Sequence, residues 1–163
     1  MSLLTLVLVF SVAFGSAYTS ECPHECPTYW TSYGCFCYRL FGSPQTWHHA
    51  EGNCRRSYSG RTPHLVSIHS YGENTYLKRL METAHGENIE YTYWIGLNEL
   101  HWTGHYRWSD YSENNYQAWQ RGEPNNYKGN AEHCVEFWKI SDKFGWNDSP
   151  CSSKKSYICK MPK

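Results

Sequence analysis

Long hydrophobic runs are nearly absent from this chain of 163 residues. The one run present, from Leu3 to Phe14, is shorter than the roughly 20 apolar residues a membrane span needs. Small residues at Gly15-Ser16-Ala17 follow it, so residues 1–17 read as a secretory signal peptide cleaved near Ala17. The start of that segment lacks Lys and Arg, leaving the α-amine of Met1 as its only positive group. A buried N-terminal strand or helix is the competing reading. With no other segment able to cross a bilayer, the mature chain is expected to be soluble, extracellular and without a membrane partner.

Charge of one sign is missing too. Formal net charge is +0 with acidic and basic residues interspersed, so no basic stripe exists to follow a phosphate backbone and nucleic acid is excluded as a partner. Paired C-x-x-C knuckles for zinc, an H-E-x-x-H helix, a G-x-S-x-G elbow and a P-loop are all lacking. His48-His49 and His101…His105 therefore read as surface histidines, and no enzymatic centre is expected. No repeat, low-complexity tract or linker interrupts the chain. It reads as a short segment over 18–25 followed by one domain over 26–163.

Cysteine and aromatics are abundant instead. The eight cysteines form an even set, which in an exported chain of this size implies disulfides. Eight cysteines allow 105 pairings, so counting does not choose among them. Aromatic residues make up 17% of the chain, mostly Tyr and Trp, as suits a small loop-rich fold or a surface that meets polar ligands.

Periodicity organises the rest. Residues 26–42 alternate aromatic and cysteine positions about Tyr33-Gly34, predicting a hairpin. Trp47, Ala50, Glu51 and Cys54 predict a helix over 45–57. Leu65-Val66-Ser67-Ile68 predicts a strand. It leads into Ser70-Tyr71-Gly72-Glu73, a capping box in which Ser70 and Glu73 satisfy each other's backbone N–H groups. Leu77, Leu80, Met81 and Ala84 mark the buried stripe of a second helix ending near Gly86. Tyr93–Leu97, Cys134–Trp138 and Tyr157–Cys159 predict strands. From about 98 to 131 regular patterning stops, yet Trp102, Trp108 and Trp119 argue for order in this long segment. The class is α+β, two helices with a small antiparallel sheet.

Oxygen-bearing side chains gather in that half: Glu123, Asn125 and Asn126 about Pro124, then Glu132, then Asn147-Asp148. Carboxylates mixed with carboxamides suit calcium, which takes 6–8 oxygens in flexible geometry, better than magnesium. The same residues also form ordinary solvated turns.

An ordered series of motifs resembles the C-type lectin domain family over nearly the whole mature chain. It comprises Cys26-Pro27…Trp30, Cys37-Tyr38, Leu65–Ile68, Trp94-Ile95-Gly96-Leu97 and Tyr106–Asp110. It continues through Trp119, Gly122–Asn126, Glu132–Val135, Trp146-Asn147-Asp148…Cys151 and Tyr157–Cys159. The resemblance implies a double-loop α+β fold with disulfides Cys26–Cys37, Cys54–Cys159 and Cys134–Cys151. Cys22 and Cys35 are left over, free to bond to each other or to bridge two subunits. A homo-oligomer would otherwise form through domain surfaces.

By the same resemblance, one calcium ion is held by Glu123, Asn125, Glu132, Asn147 and Asp148, with Pro124 cis. The partner implied is carbohydrate, whose vicinal hydroxyls donate to Glu123 and Glu132 and accept from Asn125 and Asn147. Glu-Pro-Asn accompanies equatorial 3- and 4-hydroxyls of mannose type in this family, whereas galactose-preferring members carry Gln-Pro-Asp. Tyr127, Lys128 and Asn130 are candidates for secondary sugar contacts. An auxiliary calcium site is expected to be absent, because its positions fall on Asn98, Trp102, Asn126 and His133, with only Glu132 acidic. Asn147-Asp148-Ser149 is a sequon, but a calcium-binding Asn147 followed by Pro150 is expected to carry no glycan. Trp94, Trp108 and Trp119 are expected to be buried. The family also holds matrix, ice-binding and toxin-like members without a sugar ligand, and this is the alternative function.

Overall fold

The computed structural model describes residues 22, 24–56, 60–86, 89–101, 103–129 and 131–163, without the side chain of Lys128. The expected signal peptide, Trp102 and Asn130 lie outside the described residues.

The predicted hairpin is present. β1 (Thr31–Tyr33) pairs with β2 (Phe36–Gln45) around Gly34, whose φ of 53° suits a two-residue turn. Two disulfides, Cys22–Cys35 and Cys26–Cys37, staple it. The first of these resolves the open pairing in favour of a bond within the chain.

Helix α1 (Trp47–Arg56) buries Trp47, Ala50 and Cys54 on one face and leaves His48 and His49 exposed, as the spacing requires. Cys54–Cys159 joins its last turn to the final strand across a Cα separation of 5.5 Å. β3 is only His64–Leu65, shorter than predicted, although Val66, Ser67 and Ile68 are all buried. The reason is a change of partner. Val66 N donates to Ile158 O while Val66 O accepts from Gly96 N, so the chain crosses from one strand to another. Gly96 permits this crossing, since a Cβ there would lie 2.7 Å from Leu65 O.

Helix α2 (Tyr71–His85) starts at Ser70, whose hydroxyl accepts from Glu73 N at 3.1 Å. The reciprocal half of the predicted box is displaced: Glu73 Oε2 accepts from His69 N rather than from Ser70 N. Its other oxygen turns inward to the Tyr38 hydroxyl (2.7 Å) and Lys160 Nζ (2.6 Å), and Lys160 also donates to Ser67 O. A buried ion pair thus outcompetes the local cap. Leu77 and Met81 are buried and Leu80 half-buried, but Ala84 is exposed because the last turn runs past the core. Gly86, at φ 92°, closes the helix.

Strands β4 (Tyr91–Asn98), β5 (Arg107–Trp108), β6 (Cys134–Ile140), β7 (Lys143–Ser149) and β8 (Lys155–Pro162) complete the fold. They form one sheet in the order β1-β2-β8-β4-β6-β7, with β3 and β5 attached to its sides. The sheet is larger than expected and mixed, since β4 and β8 run parallel through Tyr93↔Ser156 and Trp94↔Tyr157. Among the described residues no helix is long and apolar enough to cross a membrane.

Candidate functional site

Between β4 and β6 the chain makes a long excursion that is pinned at several points. β5 pairs with β4 at Leu97↔Trp108. Further on, Gln120 N donates to Trp146 O and Trp146 N to Ala118 O, so residues 118–120 cover the outer edge of β7. Gly145 makes this approach possible: a Cβ there would meet Gln120 N at 2.8 Å and its Cα at 2.9 Å. Below this strip Trp146 is wholly buried, its indole N–H donating to Asn74 Oδ1, with Trp108, Tyr116 and Phe137 edge-on around it. Trp108 and Trp94 are buried as expected. Trp119 is only half-buried, because it lies over Trp146 and Tyr106 at the loop surface. Cys134–Cys151 clamps the base of β6 and β7.

The strip leads into Gly122 (φ 95°), the cis Glu123–Pro124 peptide, Asn126 (φ 45°) and a 3-10 turn at Tyr127–Gly129. Asp148, on β7 and fully buried, accepts from Asn125 N at 3.0 Å and Asn126 N at 2.8 Å. Glu132 accepts from Tyr127 N at 2.6 Å, and its own N–H donates to Asn126 Oδ1 at 3.3 Å. Two carboxylates thereby draw the loop together through its backbone. Asn125 is exposed, and Tyr127 stands out 58% exposed at the tip.

Glu123 differs from its neighbours. Its Oε2 is buried and finds no hydrogen-bond partner. Burial first, and then the nearby Asp148 and Glu132 carboxylates, push its carboxyl up to about 7. Burial also raises Glu132, against the opposing effect of the Tyr127 N–H. Asn147 lies opposite Glu136 in the β6–β7 register and donates its Nδ2 to Glu136 Oε1 at 2.9 Å.

Among the described residues no three His, Cys, Asp or Glu side chains converge as a metal cluster. Asp148 and Glu132 spend oxygens on loop N–H groups instead. The donor set nonetheless fits a hard cation: carboxylates and carboxamides of the predicted types border one loop, and Glu123 holds a buried oxygen with no donor. Glu123, Asn125, Glu132 and Asp148 are linked through that loop, with Asn147 on the adjoining strand.

Around the expected auxiliary positions, Asn98 is turned inward, its amide donating to Gly96 O and Arg107 O. The residue facing the loop is its neighbour Glu99, 3% exposed and absent from the expected positions. Its carboxylate lies 3.0 Å from His133 Nδ1 and also accepts from Gly104 N. The signal was an acidic residue next to Asn98, but the tertiary contacts decided which of the two met His133 and Gly104.

Residues 43–161 match the family described as the Lectin C-type domain. This chain belongs to the C-type lectin family. It is 38% identical over 157 residues to a C-type lectin of Thrasops jacksonii, a lectoxin, covering 95% of this chain and 91% of that protein. A C-type lectin mannose-binding isoform of Oxyuranus scutellatus is 39% identical over 135 residues, covering 83% of this chain and 82% of its own length. Among solved structures, the C-type lectin CEL-I from Cucumaria echinata superposes with a TM-score of 0.75 at 32% identity, covering 85% of this chain and 98% of CEL-I. The family is one of carbohydrate-binding domains rather than enzymes, and the α+β assignment of this lectin follows both from its elements and from that likeness.

Proposed function

We propose that this lectin is secreted and binds carbohydrate through one calcium ion held by Glu123, Asn125, Glu132, Asn147 and Asp148, with preference for mannose-type hydroxyls. The observation that carries the reading is the buried, partnerless Glu123 Oε2 beside Asp148 and Glu132 on a pinned loop. A calcium ion there would supply positive charge and open coordination positions for two vicinal hydroxyls. The chain's own groups do the rest. Glu123 and Glu132 accept hydrogen bonds from those hydroxyls, while the Asn125 and Asn147 amides donate to them. Tyr127, exposed at the loop tip, offers an aromatic face to the sugar.

Several observations support the finer points. Glu-Pro-Asn stands at 123–125, and the Oxyuranus relative is named mannose-binding. His133 stands against Glu99 where the auxiliary ion would otherwise be needed, consistent with a single site. Four disulfides favour an oxidising, extracellular setting. As all eight cysteines are paired within the chain, a homo-oligomer would rest on domain surfaces, where multivalency would raise weak single-site affinity. Asn147 spends its Nδ2 on Glu136, which fits an unglycosylated sequon.

The test is retention on mannose resin in calcium and release by chelator. Retention that survives chelation overturns the mechanism. Glu123→Gln with Asn125→Asp should move retention toward galactose; indifference of both proteins to either sugar favours a matrix or toxin-like role.

A further inference from the structure

A carboxamide has two unlike edges, and a cation ligand is useful only if the oxygen edge faces the ion. Nothing in Asn147 itself selects the edge, since its two orientations have nearly the same shape. Its surroundings do. Glu136 pairs with Asn147 across the β6–β7 ladder, is 2% exposed, and accepts from Asn147 Nδ2 at 2.9 Å. An ionised carboxylate can only accept, so it takes the nitrogen edge and leaves Oδ1 on the other side. Burial pushes the Glu136 carboxyl up, and a counter-charge at this depth opposes that. Lys155, at the start of β8, provides it with Nζ 2.9 Å from Glu136 Oε2 and 5.1 Å from the Trp94 ring centroid. Lys155 is itself largely buried, and its charge also reaches Glu132.

We propose that Lys155 and Glu136 are positioning residues: an ion pair beneath β7 that holds the Asn147 amide by its nitrogen and so presents Oδ1 to the calcium site. Neither residue touches ion or sugar. The pair spans β6 and β8, so the last strand takes part in the geometry of a loop with which it shares no ladder. One Asn147 hydrogen is committed to Glu136, and the second remains for a sugar hydroxyl. The proposal rests on the calcium-site reading above.

Glu136→Gln tests it with little change of shape. A glutamine can donate as well as accept, so it no longer selects the amide edge. Partners that orient metal ligands are typically worth about 10–100-fold in metal affinity. Glu136→Gln should therefore weaken calcium binding by about tenfold or more in titration calorimetry, measured at a temperature where scanning calorimetry in chelator shows the variant folded, since the change also leaves Lys155 unpaired. Lys155→Gln should weaken it similarly, and the double variant no further than the worse single, because the residues act in series. Losses that multiply would overturn the relay. So would unchanged calcium affinity in Glu136→Gln when the wild type binds.

A second measurement stands apart from calcium. In the calcium-free wild type, the Asn147 side-chain amide protons should exchange slowly by nuclear magnetic resonance, and in Glu136→Gln at the rate of an exposed asparagine. Fast exchange in the folded wild type defeats the relay even if calcium binds. Slow exchange in a wild type that takes no calcium keeps the Lys155–Glu136 clamp and removes the calcium reading.

Discussion

Gly145→Ala adds one methyl group at the point where the ligand-side loop lies on the sheet. The new carbon would sit 2.8 Å from Gln120 N, 2.9 Å from its Cα and 3.0 Å from its Cβ. Carbon contacts settle at about 3.5–4.0 Å, so the loop must retreat by roughly 0.5–1 Å. The hydrogen bond from Gln120 N to Trp146 O starts at 2.9 Å, and that retreat carries it beyond normal range. Its partner from Trp146 N to Ala118 O is strained with it. Two bonds at about 0.5–1.5 kcal/mol each, with overpacking at about 1–3 kcal/mol, oppose a gain of about 0.4–1 kcal/mol from a stiffer unfolded chain. The net loss spans about 1–5.5 kcal/mol with a centre near 3, and at about 2–4 °C per kcal/mol that centre lowers the melting temperature by about 6–12 °C. Gly42 is the control, since a Cβ there meets nothing within 4 Å, and Gly42→Ala should melt at or above the wild type. Scanning calorimetry in chelator gives the stability; titration with calcium gives the second readout. Because residues 118–120 run directly into Gly122-Glu123, calcium affinity should drop in Gly145→Ala and hold in Gly42→Ala. If Gly145→Ala melts like Gly42→Ala, the loop is not anchored on β7 as described.

Lys160→Met should cost about 3–5 kcal/mol, because it leaves Glu73 as an unpaired carboxylate in the core and strips Ser67 O of its donor. Glu73→Gln in the same chain removes the charge and should recover part of that loss in urea unfolding; a double variant worse than Lys160→Met contradicts the ion-pair account. For pH, Glu123 binds its proton more tightly folded than unfolded, with its carboxyl up at about 7 from the ordinary 4.5. Its contribution to the calcium-free fold is therefore fully present below about pH 4.5 and is lost as pH rises through about 7. Since the proton and a cation compete for Glu123, calcium affinity should change the other way, weakening as pH falls through about 7. Titrations at a series of pH values check this, and an affinity flat from about pH 8 to 5 counts against Glu123 as a ligand.

Local chemistry made much of this lectin readable in advance. Helix spacing placed Trp47, Ala50 and Cys54, and the turn at Gly34 placed the hairpin, because these depend on neighbours a few residues away. The same locality explains the failures. Val66–Ile68 has strand composition but exchanges partners at Gly96, and Glu73 abandons half of its capping role for Lys160, 87 residues away. Trp146-Asn147-Asp148 is legible as a motif but not as a strand, because its pairing with β6 is a tertiary fact.

The site divides in the same way. The sequence by itself determined which residues could hold a cation, since oxygen chemistry is carried by residue type and the motif order is specific. It also determined, by resemblance, three of the disulfides. Only the tertiary structure decided that Cys22 bonds Cys35, that Glu99 rather than Asn98 faces the loop, and that Trp119 stays half-exposed. Only it brought Lys155 and Glu136 beneath Asn147. Each of these depends on which side chain a bend or a ladder register turns toward a neighbour, and residue order does not carry that direction.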